Sequence, residues 1–378
     1  MTATREVTKA ERCGSSIDMD QEIRFDVRMA VPTIKVVDLF CGAGGLAYGL
    51  KSAGLTIAAG VDLDPACRYP FESNCNGVFE AKDVADLTAG ELNGWFEGAD
   101  VRVLAGCAPC QPFSTYSQSR KTPDQRWQLL RSFLRVATEV KPEIVTMENV
   151  KGLADKPIWN EFIRGLTVAG YHVAWKEVIC TDYGVPQMRR RLVLLASRIG
   201  PIELPERDPT EETPTVRQAI GNLKEIKAGE AEKCDLMHSA SSLSKLNMCR
   251  MKASKAGGTW RDWPETLRAP CHRKKSGETY PSVYGRMNWD EASPTITTQF
   301  YGFGNGRFGH PEQDRAISLR EAAILQSFPP EYKFVPEGKR PSFRSVGILI
   351  GNAVPPKLGA AIGEKIRRHV YQAAGLDL

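Results

Sequence analysis

The sequence predicts an α/β fold, a parallel sheet covered by helices on both faces, followed by a loop-rich second region. Three observations predict it. Short apolar runs of strand length, TIKVVDLFC, TIAAGVDLD, VRVLAGC and EIVTMENV, alternate with longer segments of helical spacing. These runs are apolar throughout instead of alternating, the mark of strands buried on both sides in a parallel sheet. Polar residues gather just after the runs, and ligands bind beyond the carboxyl ends of such strands.

The elements follow in order. Residues 1–31 read as a polar N-terminal extension, and 32–200 as the cofactor-binding, catalytic domain. TIKVVDLFC is the first strand, and a Gly-rich turn leads into LAYGLKSAG, a helix ending at Gly54. TIAAGVDLD is the second strand, PACRYPFESN the second helix, and a short third strand precedes Asp83. VRVLAGCAPC is a strand running into a turn, DQRWQLLRSFLRVATEV a helix, and EIVTMENV a strand. The alternation continues through WNEFIRGLTVAG, YHVAWKEVIC and RLVLLASR. PIELPERDPTEETPT reads as a linker opening a second domain over 201–340, rich in Gly, Pro, Ser and Lys. Residues 341–378 return to the catalytic domain, with GNAVPPKLGAAIGEKIRRHVYQAA as a helix after a Gly-Asn and a Pro-Pro turn.

Composition narrows the class. The chain has 378 residues, 42% of them hydrophobic, and a net charge of +5. No apolar run approaches the ~20 residues of a membrane span. The N-terminus lacks the apolar core of a secretory signal, so a cytoplasmic protein without membrane association is expected. The ten cysteines are scattered apart from one C-x-x-C, Cys107 to Cys110, and would stay reduced in the cytosol. Zinc-ligand spacing is lacking and no metal is expected. Between Lys245 and Arg286 stand ten Lys or Arg against three Asp or Glu, with Trp260, Trp263, Tyr280 and Tyr284 interleaved. Such a stretch suits a phosphate backbone and exposed bases, or else a solvated loop region.

Two features carry chemistry. Asp38-Leu39-Phe40-Cys41-Gly42-Ala43-Gly44-Gly45 lies between a strand and a helix, and Gly42, Gly44 and Ala47 fit the G-x-G-x-x-G/A spacing of nucleotide-binding turns. Asp62, 20 residues after Gly42, is placed to accept from ribose hydroxyls, and Asp83 to read an adenine amino group. A nucleoside-containing cofactor fits, and the turn alone does not separate S-adenosylmethionine from NAD. The second feature is Cys110, flanked by Pro109 and Pro112 after a strand. The prolines restrain the backbone and suit a nucleophile held over a cleft, with a redox C-x-x-C and a buried structural Cys as alternatives. Cys107 reads as structural. Glu148 in MENV ends a strand and can reach the same cleft. In an extended QMRRR segment, Gln187, Arg189 and Arg191 would share one face and could bind a phosphate, a carboxylate or a base carbonyl. Arg190 reads as a solvated edge.

Taken together, the motifs resemble the DNA (cytosine-5) methyltransferases. DLFCGAGGLAYGL is similar to the family's cofactor loop, GCAPCQPFS to its Pro-Cys motif, MENV to its Glu-Asn-Val motif and QMRRR to its Gln-x-Arg-x-Arg motif. RAISLREAAILQSFP and GNAVPPKLGAAIG are similar to its two C-terminal motifs, and the order is the family's from about residue 34 to 370. The resemblance implies a Rossmann-like S-adenosylmethionine-dependent methyltransferase fold with a smaller, loop-rich target-recognition domain. It implies a cofactor site lined by Asp38, Phe40, Gly42, Gly44, Gly45, Asp62, Leu63, Asp83, Pro109, Asn352 and Val354. S-adenosylmethionine would leave it as S-adenosylhomocysteine. Two departures stand out: Asp62 where the family often has Glu, and Leu63 where an adenine-stacking aromatic often stands.

In the same way the resemblance implies Cys110 as nucleophile, with Glu148, Arg189 and, as a further candidate, Arg191 holding a flipped cytosine. Gln111, Ser114 and Gln187 would meet DNA. Arg250, Lys252, Arg261, Arg268, Arg273 and Lys274 are candidates for phosphate or base contacts. Thiolate addition at C6 would make C5 nucleophilic, and a carboxyl carrying or sharing a proton at N3 would stabilise the developing charge. The polar segment Ser114 to Arg126 is a candidate loop to close over the base. The expected partner is double-stranded DNA in a bacterial or phage-like, nucleoid-associated setting. The protein is expected to be a monomer, with a restriction endonuclease as a separately acting partner. Three rival readings are weaker. A tRNA-acting methyltransferase is disfavoured because its Cys-Phe-Thr element is missing. A non-catalytic DNA-binding regulator is disfavoured by the intact Cys110 and Glu148, and an NAD-dependent oxidoreductase by the later motifs.

Overall fold

Ile34, Val36, Val37 and Leu39 are all buried, and they alternate between two separate apolar clusters on opposite sides of one strand. That arrangement is what a continuous apolar run dictates when both faces of a sheet are covered. A computed structural model describes residues 31–109, 123–207, 212–274 and 283–376. Strand β1 (Ile34–Leu39) is followed by α1 (Gly45–Ser52), β2 (Thr56–Asp62), α2 (Arg68–Cys75), β3 (Val78–Ala81), α3 (Ala89–Trp95) and β4 (Val101–Gly106). Then come α4 (Pro123–Val140), β5 (Ile144–Val150), α5 (Pro157–Val168), β6 (His172–Ile179), β7 (Gln187–Met188) and β8 (Arg190–Ser197).

The main sheet has seven strands in the order β3-β2-β1-β4-β5-β8-β6. The first five run parallel, β1 lying between β2 and β4, so the ends of β1, β4 and β5 open on one edge of the sheet. The sequence reading of a parallel sheet needs one correction: β8 runs antiparallel to both β5 and β6. Connection length explains it. Only residues 180–189 separate β6 from β8, holding a single turn of 3₁₀ helix, Cys180–Tyr183, and the two-residue β7. A parallel return needs a crossover of about a dozen residues or more, normally a helix.

Later helices are α6 (Val216–Ile220), α7 (Lys245–Ala253), α8 (Leu319–Leu325), α9 (Phe343–Asn352) and α10 (Pro356–Ala373). The Gly-Asn pair read from sequence as a turn before one helix instead ends α9, and Ala353 to Pro355 separate it from α10. Helix α10 lies against α1 so closely that a Cβ on Gly49 would sit 2.3 Å from the Pro356 carbonyl oxygen. The apolar stretch Phe343–Ala373 is therefore largely a core element of this face. Helices α3, α4 and α5 contribute to the opposite cluster, around Phe133, Trp159 and Phe162.

Between α6 and α8 regular structure is sparse. A third apolar cluster forms here from Met251, Trp260, Trp263, Phe303 and Ala316. Buried arginines stand in for missing ladders. Arg286 donates to the carbonyls of Met251, Ser254, His310 and Gln313 and pairs with Asp314. Arg315, fully buried, grips Glu321 through two hydrogen bonds of 2.7 Å. Glu321 also closes the capping box that starts α8 with Ser318. Strand β9 (Ser293–Pro294) pairs with β7, bringing this region to the mouth of the main sheet.

Candidate active site

The turn after β1 is built for close approach. Gly44 adopts φ 84° as the N-cap of α1, a left-handed conformation that favours glycine. Phe40 also has positive φ, 56°, and packs from a half-buried position against the α3–α5 side of the core. Asp62, at the end of β2, accepts from the Gly42 N–H at 2.9 Å and from the Asp64 N–H at 2.9 Å, fixing both turns. Burial raises its carboxyl above the ordinary range, against those hydrogen bonds. Asp83 caps the next turn through Ala85 N–H, also at 2.9 Å. Asp38 is fully buried, and neither of its carboxyl oxygens meets a hydrogen-bond donor among the described residues. Burial pushes it up to about 8; the Ala47 N–H leans towards it without closing a hydrogen bond, and nearby Asp62 pushes further up.

The second centre lies where β4 and β5 end. Glu148 on β5 is 2% exposed. Its Oε2 accepts from the Cys107 thiol at 3.0 Å, and Arg191 Nε stands 2.7 Å from Oε1. The Arg191 contact is an ion pair by distance, but the N–H is not aligned on the oxygen, so Oε1 has no hydrogen bond. Burial and Glu148 push the Cys107 thiol well above its ordinary value, so it stays a donor. Asn149 holds the two strand ends together: its Nδ2 donates to the Ala108 carbonyl at 3.0 Å and its Oδ1 accepts from the Val150 N–H at 2.8 Å. Asn149 therefore anchors the chain as it leaves β4 towards residue 110. Sequence reasoning misses Cys107 and Asn149 as functional residues, although each stands inside a motif it singles out.

Cys110, Gln111 and Ser114 lie outside the described residues, as does most of the proposed closing loop. Pro109, the last described residue before them, is exposed. Leu63 is 69% exposed at the end of β2, available to a planar ligand. Val354 is buried beneath Gly45, whereas Asn352 is exposed.

The single face expected of Gln187, Arg189 and Arg191 is corrected. The chain kinks there, Arg189 N–H donating to the Gln187 carbonyl at 2.9 Å, so the strand alternation fails. Gln187 is fully buried; it donates to Gln326 Oε1 and the Leu325 carbonyl and accepts from Ile296 N–H. Arg189 donates to the Ile296 carbonyl at 3.0 Å, the Gly351 carbonyl at 3.1 Å and Gln187 Oε1 at 3.3 Å. Burial first, and then Arg191, lowers its guanidinium to about 9. These two side chains clamp the 296 segment, α8 and α9 to the sheet, and of the two arginines it is Arg191 that meets Glu148.

The basic, aromatic stretch is likewise divided. Trp260 and Trp263 are buried, not presented to bases. Arg250 is buried too, lying over Trp263 and Tyr284 and donating to the Leu267 carbonyl at 2.9 Å and to Asn247. It is a core residue of the third cluster. Arg268 is half-buried over Trp260 and donates to the Arg261 carbonyl. Lys252, Arg261, Arg273 and Lys274 are exposed, with Arg273 steadied on the Glu265 carbonyl.

Comparison with known proteins decides the family. Residues 34–368 match the model of the C-5 cytosine-specific DNA methylases. The chain belongs to this family. It is 49% identical over 337 residues to the Type II methylase M.HgiDII of Herpetosiphon aurantiacus, covering 88% of this chain and 95% of that protein. It is 33% identical to the Type II methyltransferase M1.HphI of Haemophilus parahaemolyticus, covering 88% and 87% respectively. Among solved structures, one assigned as a DNA modification methyltransferase encoded within an Escherichia coli prophage superposes with a TM-score of 0.68 at 21% identity. It covers 90% of this chain and 99% of that one, and shows a shared fold.

C-5 cytosine methylases use S-adenosylmethionine, and the turn after β1 fits such a group. A Cβ at Gly42 would meet nothing within 4 Å, so the outer face of the loop is open. The N-terminus of α1 carries no side-chain cap and is available to a carboxylate. Asp38 offers a buried, unsatisfied acceptor beneath the same turn. Among the described residues, no cluster of three or more His, Cys, Asp or Glu could hold a metal ion.

Proposed function

We propose that this DNA cytosine-C5 methyltransferase acts on a cytosine flipped out of a specific double-stranded sequence, through a covalent bond between Cys110 and C6. The observation that carries the reading is the pairing of Glu148 with Arg191 and Cys107 at the strand ends from which residue 110 departs. S-adenosylmethionine supplies an electrophilic methyl group on a sulfonium, and the chain supplies the rest. Cys110 thiolate adds to C6, and Glu148 hydrogen-bonds N3 and stabilises the charge that builds there, leaving C5 electron-rich. Arg191, 2.7 Å from Oε1, orients the Glu148 carboxyl. After methylation C5 gives up its proton, the Cys110–C6 bond breaks and the thiolate returns. Target atoms are unreachable in a stacked duplex, so the base must leave the stack, at a cost of a few kcal/mol.

The cofactor is held by the Gly42–Gly45 turn, Asp62 at the ribose and Asp83 at the base, with Asp38, Phe40, Leu63, Pro109, Asn352 and Val354 around it. Residues 201–340 form the target-recognition domain, and 341–378 return to the catalytic domain, a reading supported by the packing of α10 on α1. Lys252, Arg261, Arg273 and Lys274 contact phosphate. The protein works as a bacterial, cytoplasmic monomer on DNA. The Type II relatives support a restriction endonuclease as separate partner, and the eight described cysteines, all free, support a reducing compartment. Bisulfite sequencing of DNA from cells expressing the protein tests this directly. Protected cytosines should recur in one short motif and vanish with Cys110→Ser; protection that survives the substitution overturns the assignment.

A further inference from the structure

We propose that Cys107 is a positioning residue for methyl transfer: its thiol holds the Glu148 carboxyl in a single orientation at the ends of β4 and β5. The inference rests on the reading of Glu148 as the hydrogen-bonding acid at N3. The geometry is specific. Glu148 has two carboxyl oxygens in a nearly closed pocket, and the thiol occupies Oε2 at 3.0 Å. The other oxygen, Oε1, has Arg191 Nε 2.7 Å away but no aligned hydrogen bond, so the thiol is the one aligned donor on this carboxyl among the described residues.

The charged groups around this pair are Arg191 from β8, Arg189 from the kink before it, and Asp38, which approaches Cys107 from β1; Cys180 lies close to the same cluster just after β6. None of these gives Glu148 the aligned hydrogen bond that the thiol gives it. Cys107 thus fixes the rotamer of Glu148.

The test follows initial rates of tritiated methyl transfer from S-adenosylmethionine into unmethylated phage DNA. Wild type, Cys107→Ala, Cys107→Ser and Glu148→Gln are compared, with melting temperatures to confirm folding. Cys107→Ala should lower kcat about tenfold, the size of one hydrogen bond, with KM for DNA unchanged. Cys107→Ser, which keeps a donor, should restore kcat. A Cys107→Ala protein with wild-type kcat overturns the inference. So does a slow Cys107→Ala protein that serine does not rescue, since that is loss of packing alone. If Glu148→Gln retains the wild-type rate, the role of Glu148 fails first; if Glu148→Gln is inactive and Cys107→Ala unaltered, only the role of Cys107 fails.

Discussion

Arg189 separates two accounts of the Gln-x-Arg-x-Arg segment, one in which it holds the base and one in which it holds the protein. The informative change is Arg189→Met, which keeps length and removes the charge. In the structure the guanidinium satisfies the carbonyls of Ile296 and Gly351 and touches Gln187, while its Nε finds no partner among the described residues. Hydrogen bonds from a charged group contribute about 1.5–3 kcal/mol each, so losing two backbone partners costs roughly 3–6 kcal/mol. Methionine escapes the penalty of burying a charge, which offsets about half of that, for a net loss of about 2–3 kcal/mol. For a chain of 378 residues that corresponds to a fall in Tm of roughly 3–4 °C. Thermal unfolding followed by circular dichroism reads it, alongside methyl transfer well below Tm. The clamp predicts the drop in Tm, with activity per folded molecule within about tenfold of wild type. An unchanged Tm with a fall in kcat beyond about a hundredfold would refute the clamp and return Arg189 to the base.

Three further predictions use the same logic. Asp38, held up to about 8 by burial against 3.8 for a free side chain, binds a proton in the fold that the unfolded chain has released. Its contribution to stability therefore declines as pH rises from about 4 to about 8, and Asp38→Asn should flatten that decline in denaturant titrations of the cofactor-free protein; an unaltered pH slope refutes it. Arg315→Met strips the partner from buried Glu321, whose carboxyl hydrogen bonds hold at about 2 despite burial. It should cost about 3–5 kcal/mol at pH 7, with the difference from wild type shrinking as pH falls from 4.5 towards 2 and the carboxyl protonates; equal urea midpoints at neutral pH contradict this. Replacing Lys252, Arg261, Arg273 and Lys274 together by Gln should weaken DNA binding and lower the log–log salt slope by about 0.9 for each phosphate left without its cation. An unchanged slope removes them from the interface, whereas Arg250→Met should show itself as reduced stability.

Much of this was legible in the sequence because strand burial and turn chemistry are local. The apolar runs at 34–39, 101–106 and 144–150 became adjacent strands, and the polar residues after them met at one edge. What the sequence hid is set by contacts between distant segments. The reversal of β8 follows from a short connection that a period-two pattern does not reveal. The kink at Arg189 depends on Ile296 and Gly351, more than a hundred residues away in sequence. A run of Arg and Trp looks the same whether the tryptophans face a nucleic acid or a core, and here Trp260 and Trp263 face a core. Cys107 could be seen as half of a C-x-x-C, but only the pairing of β4 with β5 brings its sulfur to Glu148.

The central claim is a covalent bond between Cys110 and cytosine C6, and DNA containing 5-fluorocytosine tests it most directly, because fluorine cannot leave C5 as a proton. With S-adenosylmethionine present, such DNA should yield a denaturation-resistant protein–DNA complex whose cross-linked peptide contains modified Cys110, and Cys110→Ser should yield none. Absence of the complex under conditions where ordinary DNA is methylated, or a cross-link mapped to Cys107 instead, would contradict the account.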